Sequence, residues 1–162
     1  MRIKRLLVVL AMVLLPPATP IATARAATPA ACSWQAEMLE DEGGSVLTAS
    51  VCQSKQDGAP QLMLQCLGGA HLSYDLGQKG EDVTPDAKAV FTFRVGDTAI
   101  DRKLTLEEMY NYFTLDLPRA DPLLALLASG REVSVESATY GKSTFSLQGA
   151  KAAIGKVLAK CH

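Results

Sequence analysis

Four cysteines constrain the fold of this chain more than any other feature of its sequence. They follow a segment with the features of a secretory signal, and their number is even, so they predict two disulfides. Three pairings are possible. We favour the one in which the first bond closes a local hairpin and the second, across about 95 residues, ties the last helix to an early strand, which contributes about 4–5 kcal/mol in the chain-entropy model. The favoured pairs are Cys32–Cys52 and Cys66–Cys161.

A zinc site is the alternative use of these cysteines. Structural zinc sites are built from Cys and His ligands that come in pairs at short spacing. The sequence contains no C-x-x-C, and its two histidines, His71 and His162, do not supply such a pair. We therefore predict no metal site, and nothing in the sequence implies a cofactor.

The first 26 residues have the three regions of a secretory signal. Basic residues at positions 2, 4 and 5 precede an apolar run over 6–15, and an A-x-A site ends at Ala26. We expect cleavage near Ala26, a periplasmic location, and a single disulfide-stabilised domain over 27–162. The apolar run is about ten residues long, and no later segment approaches the roughly 18 that a membrane-spanning helix needs. The sequence therefore predicts no integral membrane segment.

The charge of the exported part excludes one class of partner. The whole chain has 16 Lys and Arg against 17 Asp and Glu. Residues 1–26 hold four of the basic residues and none of the acidic ones, which leaves 12 against 17 and a net charge of −5. A net charge of this sign rules out a basic nucleic-acid-binding protein as the default interpretation. We therefore expect no nucleic-acid partner.

Hydrophobic periodicity predicts a strand-rich chain with two helices. Since the strands do not alternate regularly with helices, the fold class is predicted as α+β, an antiparallel sheet with helices packed on it. Asp121 followed by Pro122 is typical of a helix start. Strands are predicted over 34–39, 45–52, 61–66, 71–76, 90–95, 132–137 and 143–147, and helices near 121–129 and over 150–161.

Three segments of the predicted sheet have less regular sequence patterns. Residues 103–117 fit both a strand and a helical capping box, and the aromatic residues Tyr110, Tyr112 and Phe113 favour strands. Gly141 and Lys142 are predicted to form the turn between the last two strands. In 61–66, Leu62 and Leu64 alternate with polar residues and with Met63, so one buried face is expected.

No catalytic residue stands out. His71 follows a Gly-Gly turn and is predicted to lie at the surface, and the acidic clusters near 40, 82 and 107 are predicted to be solvated. The sequence has no phosphate-binding loop, no G-x-S-x-G and no H-E-x-x-H. With the cysteines assigned to disulfides, we expect a protein that is not an enzyme.

The chain has an L-x-L-x-C pattern in the strand 62–66, an arginine-bearing strand over 91–97, and F-x-L-x-G at 145–149 before a helix that ends at Cys161. Together these features resemble type VI secretion-associated VasI-like proteins. The last part is also similar to proteins of the invasion-associated locus B type. The resemblance spans residues 60–161. It implies a periplasmic accessory protein, linked to secretion or host interaction, that acts by contact and uses a Cys66–Cys161 bridge as its scaffold.

A second resemblance points to the periplasmic inhibitors of C-type lysozymes. It covers residues 137–140, SATY, followed by Gly141, Phe145 and Gly149. In that family Ser and Lys side chains enter the lysozyme cleft, which implies partner-binding roles for Ser137, Tyr140 and Lys142. The acidic charge of the chain also suits a basic target enzyme.

These patterns lead to two functional hypotheses. The first is a non-enzymatic periplasmic accessory protein that binds a protein or envelope partner. The second is a periplasmic inhibitor or immunity-type protein that acts on a hydrolase such as lysozyme. Arg94, which interrupts an apolar strand, is a further candidate for partner binding. The identity of the partner and the oligomeric state stay open.

Overall fold

The computed structural model of the chain describes residues 32–41, 44–80, 83–84, 86–107 and 112–161. The predicted signal segment lies outside these ranges, as do Glu42, Tyr110 and His162 and the acidic residues Glu81, Asp82 and Glu108. The described part is mainly β-structure with two helices, so the α+β prediction is confirmed in its coarse form, with the sheet dominating.

Nine strands form one antiparallel sheet in the described part of the chain. The strands are β1 (Gln35–Asp41), β2 (Gly44–Cys52), β3 (Gln61–Cys66), β4 (Ala70–Asp75), β5 (Lys88–Val95), β6 (Thr98–Glu107), β7 (Tyr112–Leu117), β8 (Glu132–Ser137) and β9 (Gly141–Ser146). A 3-10 turn occupies Gly77–Gly80, and the helices are α1 (Pro122–Leu127) and α2 (Ala150–Leu158). The prediction of strands over 103–117 is confirmed for 103–107 by β6 and for 112–117 by β7, and residues 108–111 lie outside the described ranges.

The strand order is β1-β2-β3-β4-β7-β6-β5-β8-β9. The first four strands are consecutive hairpins. After β4 the chain passes over two positions to form β5, and β6 and β7 then return to pair with β4. The segment containing α1 carries the chain back so that β8 lies beside β5, which is a Greek-key connection.

Alternating apolar residues give the sheet one strongly buried face, here called the inner face. Direct partners in an antiparallel pair share a face, as do Leu62 and Tyr74, and Tyr74 and Phe113. The inner face also carries Phe91 and Phe93 of β5, both fully buried. These rings and their aliphatic neighbours form one core cluster, which is the main source of stabilisation by burial.

The sheet curls until its two ends meet at one corner. The backbone N–H of Trp34, just before β1, donates to the carbonyl of Gln148, just after β9, at 2.9 Å. Gly149 has φ 82°, and a Cβ there would lie 2.7 Å from the Trp34 carbonyl oxygen. Glycine is therefore required both for the turn and for this close approach.

The two helices close the open end of the curled sheet. α2 packs on β1, β2 and β3 through Ala153, Ile154 and Val157, as its apolar stripe predicts. The carboxylate of Asp121 accepts from the Leu123 N–H at 2.8 Å, which confirms the predicted start of α1.

Both favoured disulfides are present. Cys32–Cys52 joins the segment before β1 to the end of β2, and Cys66–Cys161 joins the end of β3 to the third residue after α2. In each pair the Cα atoms are 5.4 Å apart. No described cysteine is free.

Two local predictions are wrong. The turn between β8 and β9 lies at residues 138–140, and Gly141 already pairs with Ser137, because Gly141 takes the positive φ of 74° that the end of the turn requires. Met63 is buried although it lies on the opposite face from Leu62 and Leu64. His71 lies at the surface as predicted, with 15% of its side chain exposed.

Candidate functional site

A groove of about 370 Å³ lies on the outer face of the sheet. It crosses the ends of five strands, β1, β3, β4, β6 and β7, together with the β3–β4 turn. We call it the outer-face groove. It is lined by Leu39, Glu40, Met63, Gln65, Leu67, His71, Ser73, Glu107 and Tyr112.

Strand register brings these side chains together. Gln65 pairs with His71 across β3 and β4, and His71 pairs with Asp116 across β4 and β7. Glu107 pairs with Tyr112 across β6 and β7. Since direct partners share a face, two hairpins that are separated in the chain, β3–β4 and β6–β7, contribute to one surface.

His71 lies between two carboxylates. Its Nδ1 is 2.8 Å from Oδ1 of Asp116, and its Nε2 is 4.0 Å from Oε2 of Glu107. Because a carboxylate can only accept, Nδ1 carries the proton and donates to Asp116. The Nε2 atom of His71 lies at the groove, on the side of the Glu107 carboxylate.

Two further polar groups of the groove include acceptor atoms. Gln65 donates one of the two N–H groups on Nε2 to Oγ1 of Thr48 at 3.0 Å, and its amide oxygen can accept. The carboxylate of Glu40 accepts from the hydroxyl of Ser45. A carboxylate with one donor retains further lone pairs. The groove is therefore suited to a group that donates hydrogen bonds or carries positive charge.

Apolar side chains form the rest of the groove. Met63 is buried at its base, and Leu67, in the turn between β3 and β4, is 57% exposed. Leu67 is one of three large apolar residues that are this exposed within the described ranges, with Met38 and Val90. Leu67 therefore adds one apolar side chain to a concave surface whose lining is otherwise largely polar.

One end of the groove contains groups with shifted pKa values. Burial raises the pKa of Asp75, against the hydrogen bond from the Gly77 N–H, and Asp75 pairs directly with Tyr112 across β4 and β7. Burial, and then the charge of Asp75, raises the pKa of Tyr112. The Tyr112 phenol therefore stays protonated through the neutral and mildly alkaline range.

The four residues predicted for partner binding do not form one site. Arg94 and Lys142 are both exposed on the outer face of the β5-β8-β9 end, where Lys142 pairs with Glu136. Ser137 is only 6% exposed. Tyr140 turns inward, where its ring stacks on Phe91 with centroids 6.0 Å apart. Of the positions carried over from the lysozyme-inhibitor resemblance, only Lys142 offers an open side chain.

Sequence reasoning passed over several residues of the groove. Asp116 was not a candidate, although it alternates with Tyr112 and Thr114 in a strand whose intervening residues are apolar. That alternation assigns the three to one face. The missing information was the pairing of β4 with β7, which joins residues 45 positions apart in sequence.

The described residues give no sign of a metal centre or of a spanning helix. No group of three or more His, Cys, Asp or Glu among them is arranged to hold a metal ion. None of the helices they form is both long and apolar enough to cross a membrane. No protein-family model, curated protein or solved structure matches the chain.

Proposed function

We propose that this chain is an exported, non-enzymatic accessory protein that binds a protein or envelope partner. The contact is made at the outer-face groove, and the bound part of the partner is a cationic segment with at least one apolar side chain. The observation that carries the proposal is the combination of Leu67 with the carboxylates of Glu107 and Glu40 in one concave surface.

Binding fits this arrangement better than catalysis does. Nε2 of His71 faces the carboxylate of Glu107, and among the described residues no hydroxyl or thiol hydrogen-bonds to the His71 ring. A nucleophile paired with a base would show such a contact. Lys and Arg side chains, in contrast, offer donors that match the carboxylates of Glu107 and Glu40.

The charge distribution supports the same partner chemistry. The parts of the sequence that form the sheet, 32–117 and 132–148, hold 16 acidic and 7 basic residues, a net charge of −9. A field of this sign raises the association rate with a cationic protein and disfavours the binding of anionic proteins. We therefore expect binding through the groove to weaken as salt is added.

The proposal is tested by capture from a periplasmic extract on the immobilised mature chain, with three variants. Leu67→Ser and Glu107→Lys alter the groove, whereas Val90→Ser removes an equally exposed apolar side chain, 54% against 57%, outside the groove. We expect one or more proteins to be captured by the wild type and by Val90→Ser but not by the groove variants. Capture that both groove variants retain contradicts the proposal.

The second candidate function is inhibition of a hydrolase. The acidic groove favours it, because lysozyme-type targets suggested by the resemblance are basic proteins. Peptidoglycan lysis by a panel of C-type lysozymes is measured with the mature chain at about micromolar concentration, near the affinity of a modest interface. Inhibition that Glu107→Lys abolishes supports this function, and lysis at the uninhibited rate across the panel removes it.

A further inference from the structure

A second concave surface lies on the opposite side of the molecule, between the two helices. It is a groove of about 280 Å³, here called the helix groove. Its floor is formed by Leu124 and Ile154, which are 3% and 2% exposed, and its walls by Ala125, Ala128, Gly155 and Leu158. It shares no residue with the outer-face groove.

The charge of this side is opposite to that of the sheet. Segments 118–131 and 149–161, which contain the helices, hold five basic residues and one acidic residue, a net charge of +4. Arg119 and Lys151 stand at the rim of the helix groove and are exposed. The acidic residue, Asp121, is already engaged by Arg102 at 2.8 Å and by the first turn of α1.

The shape of the surface indicates that it receives a side chain from a partner. Peripheral proteins that bind membranes insert large, protruding apolar side chains into the lipid. The large exposed apolar residues of the described chain, Met38, Leu67 and Val90, are all outside the helices. The helix groove instead exposes alanine and glycine beside an aliphatic floor, which allows a partner backbone to approach closely.

We propose that the helix groove docks an acidic amphipathic helix of a partner protein. The partner's aliphatic side chains, spaced i, i+3 and i+7, lie between α1 and α2, and its carboxylates contact Arg119 and Lys151. The occupant is a protein segment and not a lipid surface. This inference is independent of the proposed function, because a different surface with the opposite charge carries it.

Gly155 provides a selective way to block the groove. A Cβ built at Gly155 meets no atom within 4 Å, so the space beside it is open. Gly155→Leu fills that space while replacing a poor helix former by a good one, so α2 is not weakened. Gly155→Ala is the matched control, since it gives the same kind of helix stabilisation with a much smaller side chain. Lys151→Glu tests the charge, with Lys142→Glu on β9 as its matched control.

The probe is a fluorescent helical peptide of about 16 residues made of Glu, Ala and Leu, with leucines at i, i+3 and i+7, titrated with the mature chain. We expect a Kd below about 100 μM, weaker binding at higher salt, and a loss of about tenfold or more with Gly155→Leu and with Lys151→Glu. Gly155→Ala and Lys142→Glu should bind within about twofold of the wild type. Circular dichroism and thermal melting establish that each variant is folded.

Three results would overturn the inference. One is a Lys-for-Glu version of the peptide whose affinity Gly155→Leu lowers as much as it lowers that of the acidic peptide, since the helix groove would then not select for negative charge. Another is unchanged affinity in Gly155→Leu. The third is binding of the wild type to phosphatidylglycerol vesicles with no saturable binding of the peptide, which would assign the basic side to a membrane surface. Because Gly155→Leu leaves the sheet untouched, capture through the outer-face groove should persist in it, so the two proposals fail separately.

Discussion

The ring of Tyr74 lies 6.0 Å from the ring of Phe145, nearly perpendicular to it at 86°, although four strands separate β4 from β9 in the sheet. Tyr74 also contacts Phe91 at 5.4 Å, and its hydroxyl hydrogen-bonds to Ser143. These contacts require the sheet to curl until its inner face closes on itself. Tyr74 is therefore the point at which the two halves of the sheet meet, and both its ring and its hydroxyl contribute.

Removing the Tyr74 hydroxyl should weaken the contact without opening the core. We expect Tyr74→Phe to lower the free energy of unfolding by about 1 kcal/mol, since it keeps the ring and loses one buried hydrogen bond. Ser143→Ala should cost a similar amount. Urea unfolding of the two variants and of the double variant checks this. Because both changes remove the same bond, fully additive losses would contradict the Tyr74–Ser143 contact.

The same residue predicts how stability falls at alkaline pH. Burial raises the pKa of Tyr74 above its ordinary value of 10.0, the hydrogen bond from Ser143 opposes this, and the charge of Asp75 adds to it. The folded state therefore holds a proton that the unfolded state releases near pH 10. The associated stabilisation is complete below about pH 10 and is lost as the pH rises through the folded-state pKa.

Tyr74→Phe should accordingly lose stability less steeply above about pH 10 than the wild type does. The measurement is the free energy of unfolding of both proteins at several pH values between about 9 and 11. Parallel curves over this range would show that the Tyr74 phenol is not held protonated by the fold.

Asp75 should be a residue that costs stability at neutral pH. Burial raises the folded-state pKa of Asp75 above 3.8. Below the unfolded-state pKa the carboxyl is protonated in both states and costs no stability. The cost begins as the pH rises above the unfolded-state pKa and is complete above the folded-state pKa. Asp75→Asn removes the charge and keeps an acceptor for the Gly77 N–H. We expect its melting temperature at pH 7 to rise by a few degrees, with no gain below about pH 3.8.

The control for this prediction is Asp97→Asn, which removes an exposed carboxylate in the turn between β5 and β6. It should leave the melting temperature nearly unchanged. An equal rise in both variants would mean that the gain comes from lowering the overall negative charge and not from relieving burial of Asp75.

The two disulfides should contribute unequally. Cys66–Cys161 closes a loop of 95 residues and Cys32–Cys52 one of 20. In the chain-entropy model the longer loop stabilises the fold by about 1.4 kcal/mol more. We expect the Cys66→Ser/Cys161→Ser variant to unfold at lower denaturant than Cys32→Ser/Cys52→Ser, and a reductant to lower the melting temperature of the wild type. Equal midpoints for the two variants, or no effect of reductant, would contradict this account.

Sequence reasoning succeeded where structure is set by neighbouring residues. The hairpin of β1 and β2, the cap at Asp121, and the apolar stripe of α2 all follow from patterns within about ten residues. The disulfide pairing was also predicted, because hairpin geometry and the position of the last helix limited the three choices.

The outer-face groove could not be predicted in the same way. It depends on β4 pairing with β7, and no local pattern specifies that partner over β5, which follows β4 in the chain. Met63 is buried on the face that the alternation within its own strand predicts to be open. The contact between His71 and Asp116 joins residues 45 positions apart, so the pattern of either strand alone does not predict it.

Asp121 should have two separable effects on stability. Its Oδ1 accepts both from the Leu123 N–H and from Nη2 of Arg102, each at 2.8 Å, so one carboxylate caps α1 and anchors it to β6. Asp121→Ala removes both contacts and should lower the free energy of unfolding by about 2 kcal/mol. Asp121→Asn keeps an acceptor for the cap and loses only the ion pair, so its loss should be clearly smaller. Arg102→Met, which removes the ion pair from the other side, should match Asp121→Asn. Chemical unfolding of the three variants decides the point: if Asp121→Asn is as damaging as Asp121→Ala, the cap contributes nothing and the ion pair with Arg102 alone holds α1 in place.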